Sequence, residues 1–327
     1  MTGMPKLDSR EEHFRIPGPK EGLRLFLRRL PASGSPGGGR PVLYVHGATF
    51  PSALSIAHRF DDGRSWRDAL CEAGFDVWGL DFHGFGGSDP YPEMAEPADA
   101  HSPLCLAEDA EAQLAAAVRF ISKYVGATSL ALLAHSWGCM VAGRFAGARP
   151  TLVDRLALFA PIARRDGPRY AKRPDGPAWR VITPEDQWAR FTEDVPADAA
   201  PVLARAQFED WAARYLDSDP ESRSRTPPGV KVPSGPFVEI LRAWHGELAF
   251  DPGLIQTPTA ILRGEWDGLV TDVDARWLWD ALADAPNKRD VKIGRATHLM
   301  HLEAMRPVLW RESVAFLLGD SVAPMPL

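Results

Sequence analysis

The sequence predicts an α/β protein: a doubly wound, mostly parallel sheet of about eight strands with a helical cap inserted into it. Three observations carry this. Apolar runs of strand length recur along the chain, helix-like segments alternate with them, and one stretch, 163–252, breaks that rhythm before it resumes.

Taken in order, "EHFRIPG" and "LRLFLRRL" alternate apolar with polar residues, which predicts two strands with one face in water. "PASGSPGGGRP" supplies a flexible turn. "PVLYVHG" at 41–47 is then nearly continuous in apolar residues, the pattern of a parallel strand buried on both faces. The same kind of run recurs in "FDVWGLDFHG", "TSLALLAHS", "DRLALFAPI", "TPTAILRGEWD" and "RDVKIGRATH". Between these runs, "RSWRDALCEAG" (64–74) and the Ala-, Leu- and Glu-rich stretch 103–126 read as helices, and "LMHLEAMRPVLWRESVAFLL" as a final one. Right-handed crossovers place the C-terminal ends of the parallel strands along one edge, where loops form a ligand crevice.

After the sixth main strand the pattern changes. "PEDQWARFTEDV", "APVLARAQFEDWAARYLDS" and "PFVEILRAWHGELAF" look helical, whereas "GPRYAKRPDGP" and "DPESRSRTPPGVKVPSGP" read as connectors. The division expected is a core of residues 1–162 and 253–327 with a helical cap at 163–252. The cap holds Trp179, Trp188, Trp211 and Trp244 with Phe191, Phe208 and Phe237. These either line an apolar pocket or form the cap's own small core.

Composition excludes several classes. With 45% hydrophobic and 24% charged residues, the 327-residue chain has the make-up of a globular protein rather than a fibre or a membrane protein. A net charge of −6 and no basic tract argue against a nucleic-acid partner. No run of about 18 apolar residues predicts a membrane span, and the first residues carry no apolar segment of a signal peptide, so a cytoplasmic location is expected. The three cysteines, Cys71, Cys105 and Cys139, lack metal-ligand spacing and fit a reducing compartment; no metal or cofactor is expected.

The chemistry is sought where "SLALLA" runs into "HSWGCMVAGRFAGARP". Ser136 stands at a strand-to-helix turn with almost no loop, which forces a strained backbone and pushes the hydroxyl outward. Ala134 and Gly138 leave room for that turn. Cys139 reads as a small packing residue rather than a reactive thiol.

With these residues the chain resembles the α/β-hydrolase superfamily, whose nucleophile elbow G-x-S-x-G here reads Ala134-His135-Ser136-Trp137-Gly138. The resemblance spans about residues 14–318 apart from the cap. It implies the order nucleophile, acid, histidine, and Asp267 in "GEWDGLVTD" and His298 in "GRATHLMHLE" each follow a predicted strand in that order. Ser136 is the implied nucleophile, His298 its base, and Asp267 the carboxylate orienting the imidazole. Asp267 could instead cap the "WDG" turn, and His301 is the alternative base, disfavoured because it lies in the expected helix. Thr271 and Asp274 resemble a capping box, which assigns Asp272 and Asp274 to a helix start, and Asp251 reads as a turn residue. His135 and His83 read as a packed and a turn histidine. The oxyanion donors implied are the amides of Trp137 and of Ala48, in a loop shaped by His46 and Gly47.

The function expected is cleavage of a carboxylic ester, or a related acyl bond, of a small to medium, largely apolar substrate through an acyl-enzyme. Carbon–carbon bond hydrolysis and acyl transfer use similar triads, and a small-molecule binding protein on the same fold is the non-enzymatic alternative. The oligomeric state is not readable from the sequence.

Overall fold

Residues 5–34, 39–167 and 175–319 are described by the computed structural model. The turn expected in "PASGSPGGGRP" and the connector "GPRYAKRPDGP" lie partly outside them.

The apolar runs form the strands β1 (Glu12–Pro17), β2 (Arg24–Leu30), β3 (Arg40–Val45), β4 (Phe75–Asp81), β5 (Leu130–His135) and β6 (Val153–Phe159). After an intervening segment come β9 (Thr259–Gly264) and β10 (Lys288–Ile293), the numbers between belonging to the short ribbon β7 (Trp179–Ile182) and β8 (Val230–Pro233). The eight long strands form one sheet in the order β1-β2-β4-β3-β5-β6-β9-β10. β2 runs antiparallel to both neighbours, β1 and β4, and the pairings from β4 to β10 are parallel. Helices α1 (Trp66–Glu72) and α8 (Arg306–Leu318) pack together, as do α2 (Ala107–Val125) and α3 (Gly138–Ala148), and α7 (Asp272–Ala281) packs beside β10. This is the doubly wound sheet expected. The chain runs from β3 to β4 on one side and returns to β5 on the other, so the strand order reverses at the β3–β5 boundary. The crevice of such a sheet lies outside the strand ends at that reversal.

Between β6 and β9 the chain leaves the large sheet and builds α4 (Pro184–Thr192), α5 (Arg205–Asp217) and α6 (Gly235–Ala243) around the β7–β8 ribbon. β8 was read as part of a connector. Its four residues are flanked by Gly and Pro, and only pairing with β7 makes them a strand. Of the aromatic residues here, Phe191, Phe208 and Trp211 are buried together with Tyr215, whereas Trp179, Trp188, Phe237 and Trp244 are partly buried, and Trp211 meets Phe50 edge-to-face at 5.1 Å. The expected final helix is also divided. A 3-10 turn covers Met300–Leu302, and α8 starts only at Arg306, because Pro307 favours the first turn of a helix over its interior.

The expectation of one wet face for the first two strands also needs correction. Leu25, Phe26, Leu27 and Arg28 are consecutively buried, since β2 lies between β1 and β4 and Arg28 joins an internal ion cluster. Glu11 accepts from Arg28 Nη1 at 2.6 Å and from Arg67 Nη1 at 2.6 Å. Arg28 Nε reaches Ser52 Oγ at 3.2 Å, and that hydroxyl donates to Asp81 at 2.6 Å. The cluster therefore ties β1, β2 and α1 to the loop that follows β3. Among the described residues no helix is long and apolar enough to cross a membrane.

Burial alone would raise the Glu11 carboxyl, but the His13 hydrogen bond and the Arg28 and Arg67 charges outweigh it and hold it at about 2. A carboxyl depressed from 4.5 contributes stability above pH 4.5 that is lost as pH falls toward 2. Glu11→Ala, which strands two buried guanidinium groups, should cost about 3–5 kcal/mol in urea unfolding at pH 7. The cost should shrink below pH 4.

Candidate active site

Ser136 ends β5 and the chain turns at once into α3. Its φ is +55°, in the left-handed region that a residue with a side chain adopts at a cost of roughly 1–3 kcal/mol. The turn is held from both sides. The Ser136 amide donates to Phe159 O at 2.9 Å, and its carbonyl accepts from the Cys139 amide at 2.9 Å. Gly138 is required by close approach, because a Cβ there would stand 2.4 Å from His46 O and 2.7 Å from Val45 O. Ala134 is fully buried, so the first position of the elbow accepts a methyl group.

The structure brings Ser136, His298 and Asp267 together. His298 Nε2 lies 2.8 Å from Ser136 Oγ, and His298 Nδ1 lies 3.0 and 3.1 Å from the two Asp267 oxygens. A carboxylate can only accept, so Nδ1 carries the proton and Nε2 is left to accept the serine hydroxyl. All three residues are at most 4% exposed. Asp267 also performs the turn role weighed against this one: Oδ1 accepts from the Leu269 and Val270 amides at 2.9 and 3.0 Å. Those bonds fix the carboxylate that faces the imidazole. The neighbouring acids are used elsewhere. Asp274 completes the α7 capping box with Thr271, Asp272 pairs with Arg263 and Lys292, and Asp251 accepts from the Gly253 amide.

The Ala48 and Trp137 amides have no protein acceptor among the described residues. Trp137 is the N-cap of α3, where the backbone donors are unpaired and the helix dipole is positive. The loop carrying Ala48 is shaped by His46, whose Nδ1 donates to Gly47 O at 2.7 Å and whose Nε2 accepts from the Phe82 amide at 3.1 Å. Gly47 lies against the elbow: a Cβ there would be 3.1 Å from the His135 ring and 3.3 Å from Ser136 Cβ.

The other histidines are held apart from this chemistry. His135 stacks on Phe159 with ring centroids 4.6 Å apart and donates from Nε2 to His298 O at 3.2 Å. His301 is buried in the 3-10 turn, among Phe50, Phe159 and His135, and neither ring nitrogen has a partner among the described residues. Burial, then neighbouring charges, press both imidazoles well below the ordinary histidine range. His83 sits in a turn with Nδ1 on Asp89 O. Cys139 is buried with Sγ on Ala134 O, burial raises its thiol well above the usual range, and all three cysteines are free.

Two buried carboxyls near the site were not singled out from sequence. Glu239 of α6 accepts on one oxygen from both Trp137 Nε1 and the Ala107 amide, each at 2.8 Å. Glu303 accepts from the Thr297 amide at 3.0 Å and from the Thr297 hydroxyl, which braces the residue preceding His298. Burial and the nearby Asp267 raise the Glu303 carboxyl to about 7, against the Thr297 hydrogen bonds and His298. The available signal was weak: a glutamate in the apolar run "PFVEIL", and another just after the histidine loop.

Both lead to tests. Glu239→Gln keeps an acceptor oxygen for both donors, whereas Glu239→Leu strands them. Leu should destabilise by about 2 kcal/mol or more and slow turnover, with Gln close to the parent in both unfolding and rate measurements. For Glu303, a carboxyl raised from 4.5 to about 7 resists ionisation only when folded, so its contribution falls as pH climbs across that window. The stability of the parent relative to Glu303→Gln should drop by about 1.4 kcal/mol per pH unit there, read from urea midpoints.

Comparison with known proteins agrees with this architecture. A family model described as alpha/beta hydrolase fold matches residues 40–304. No curated protein matches significantly by sequence. Among solved structures, a serine hydrolase from the polyaromatic hydrocarbon-degrading bacterium Cycloclasticus zankles superposes with a TM-score of 0.61 at 12% identity, covering 94% of this chain and 98% of that one. An esterase from Exiguobacterium antarcticum gives 0.59 at 16% identity over 91% and 97% of the two chains. A monoacylglycerol lipase from Paleococcus ferrophilus gives 0.54 at 18% identity over 89% and 98%. At these identities the likeness is one of fold, and with the family match over most of its length the chain belongs to the alpha/beta hydrolase fold family.

Proposed function

We propose that this hydrolase is a serine esterase, cleaving a carboxylic ester of a small to medium substrate through an acyl-enzyme. The observation that carries the reading is the hydrogen-bonded run from Asp267 through His298 to Ser136, with two amides, those of Ala48 and Trp137, that have no acceptor among the described residues. Ser136 Oγ attacks the ester carbon as its proton passes to His298 Nε2, and the new imidazolium is held by Asp267. The carbonyl oxygen takes the negative charge and receives the Ala48 and Trp137 amides, each such donor being worth about 3 kcal/mol in the transition state. The tetrahedral species collapses by breaking the bond to the alcohol oxygen, which His298 protonates. Water activated through His298 then attacks the acyl carbon, releasing the acid and restoring Ser136.

In this reading residues 163–252 serve as a cap over a core of 1–162 and 253–327. The support lies in three ties from that segment to the loops at the sheet edge. Arg190 donates to Thr49, the Gly268 amide donates to Asp194, and the Ala304 amide donates to Val202 O. Ser136 is only 3% exposed beneath this cover, so substrate admission requires part of it to move. The free thiols fit a reducing cytoplasm.

A fluorophosphonate probe followed by intact-mass and peptide analysis tests the nucleophile. One adduct on Ser136 is expected, absent from Ser136→Ala, and turnover of p-nitrophenyl esters should fall at least about 10³-fold in Ser136→Ala and His298→Ala. Equal labelling of the parent and Ser136→Ala would overturn the assignment.

A further inference from the structure

Arg190 is an unusual cation in this protein. It projects from α4 toward the loop after β3, where Nη1 donates to Thr49 Oγ1 at 2.9 Å and to Gln187 Oε1 at 3.3 Å. Both acceptors are neutral. No carboxylate lies within ion-pair distance of Arg190 among the described residues, whereas the buried or partly buried Arg28, Arg29, Arg59, Arg67, Arg165 and Arg263 each have one. Arg180 and Arg306 also lack a carboxylate, but each lies over an aromatic ring, at 4.2 and 3.8 Å from the centroids of Phe237 and Phe60. Among the described residues Arg190 has neither kind of counter-group. Its Nε and Nη2 make no hydrogen bond among the described residues. Those two N–H groups form one edge of the guanidinium and diverge little, the spacing that accepts both oxygens of a carboxylate.

Its place matters as much as its free edge. Thr49 directly follows Ala48, whose amide has no acceptor among the described residues, and Gly47 just before it lies against the elbow. The Arg190 charge is also felt at the His135 ring, adjoining Ser136, where it adds to burial, His301 and His298 in keeping that ring neutral. Glu193, one turn further along α4, senses both Arg190 and His298 without forming an ion pair with either. Asp194 is already engaged by the Gly268 amide at 3.0 Å. A fixed positive edge beside the site, held by Thr49 and Gln187 and left unneutralised, is arranged for an incoming anion.

We infer that Arg190 is a specificity-determining residue that binds an ionised carboxylate carried by the ester substrate, so that the substrate class is anionic esters such as the half-esters of dicarboxylic acids. This rests on the serine-esterase reading and narrows it, replacing a largely apolar substrate by one with a charged end. The carboxylate takes the Nε and Nη2 donors while the scissile carbonyl lies at Ser136. Glu193 is the competing charge, and Thr49 and Gln187 keep the guanidinium from swinging to it.

The test compares kcat/KM for substrates matched in shape and differing in charge. Mono-methyl adipate against methyl hexanoate places the carboxylate on the acyl side, and 4-acetoxybenzoate against phenyl acetate places it on the leaving group. The parent should favour the anionic member of one pair by about tenfold or more, and that pair identifies the side. Arg190→Gln should cut this ratio by about 10- to 100-fold, Arg190→Lys should restore part of it, and Glu193→Gln should raise it. A binding readout independent of turnover uses the Ser136→Ala protein: adipate or benzoate, according to the side, should bind by calorimetry and lose affinity when Arg190→Gln is added. Thermal melting controls for folding of each variant. If the parent shows no preference for charge in either pair, or Arg190→Gln leaves the ratio and the carboxylate affinity unmoved, the inference fails while fluorophosphonate labelling of Ser136 leaves the esterase reading standing. Loss of that labelling in the parent would instead remove the esterase reading itself.

Discussion

The arrangement depends on one close contact, that of the turn after β5 with the end of β3. Ser136 occupies a left-handed backbone conformation because the chain must pass from a fully buried central strand into α3 without a loop. Gly138 allows α3 to begin against the carbonyls of Val45 and His46, where any side chain would collide. That single approach aligns the start of a helix, with its unpaired amides, beside the loop bearing Ala48. Were the helix displaced outward, the Ser136 turn and the Trp137 amide would move away from the loop bearing Ala48. Strain of roughly 1–3 kcal/mol at one residue is small beside the burial of β5, whose six residues are all inside.

The surrounding structure then locks that contact from several directions. The Glu11 ion cluster reaches the β3 loop through Ser52, and Asp81 at the end of β4 takes the same hydroxyl. From the opposite side, Glu239 joins the indole of Trp137 to the first turn of α2. Glu303 fixes the residue before His298, and the turn amides of Leu269 and Val270 fix Asp267. Trp137 is thus held by a carboxylate from a distant helix, whereas Thr297 and Asp267 are held by groups close by in sequence. Such buried polar contacts are costly when half made, and they therefore select one arrangement of the loops.

How much of this could be read beforehand follows from the range over which each signal acts. The strands were legible because burial on both faces leaves a local record of consecutive apolar residues, and the elbow because its steric demand falls on adjacent residues. Asp267 and His298 could be picked out because the order implied by the superfamily resemblance coincided with positions just past predicted strands. Glu239 was not, since the residue it serves is 102 positions away and nothing in "PFVEIL" marks a partner. Arg190 was invisible for a related reason: a helical arginine reads as a solvated charge until its hydrogen-bond acceptors prove to be uncharged. β8 was missed because four residues amid Gly and Pro become a strand only when β7 lies alongside. The final helix was drawn too long because periodicity persisted across Pro307, which marks a start there rather than a continuation.

The same contrast explains why one histidine among several is suited to proton transfer. His46, His58, His135 and His301 are all buried, and burial is the first cause pressing each below the ordinary imidazole range. None has a carboxylate within hydrogen-bond reach among the described residues, so a proton placed on any of them would be an unpaired charge in a poorly solvated setting. Their neutrality is useful to the neighbour that differs. His298 faces Asp267 on one nitrogen and Ser136 on the other, and the cluster of uncharged rings around it supplies packing without a competing base. Of these rings, His298 is the one that meets both a carboxylate and the Ser136 hydroxyl. Selecting it required a carboxylate opposite a single ring and apolar or neutral groups opposite the rest, a distribution that only the assembled sheet edge can impose.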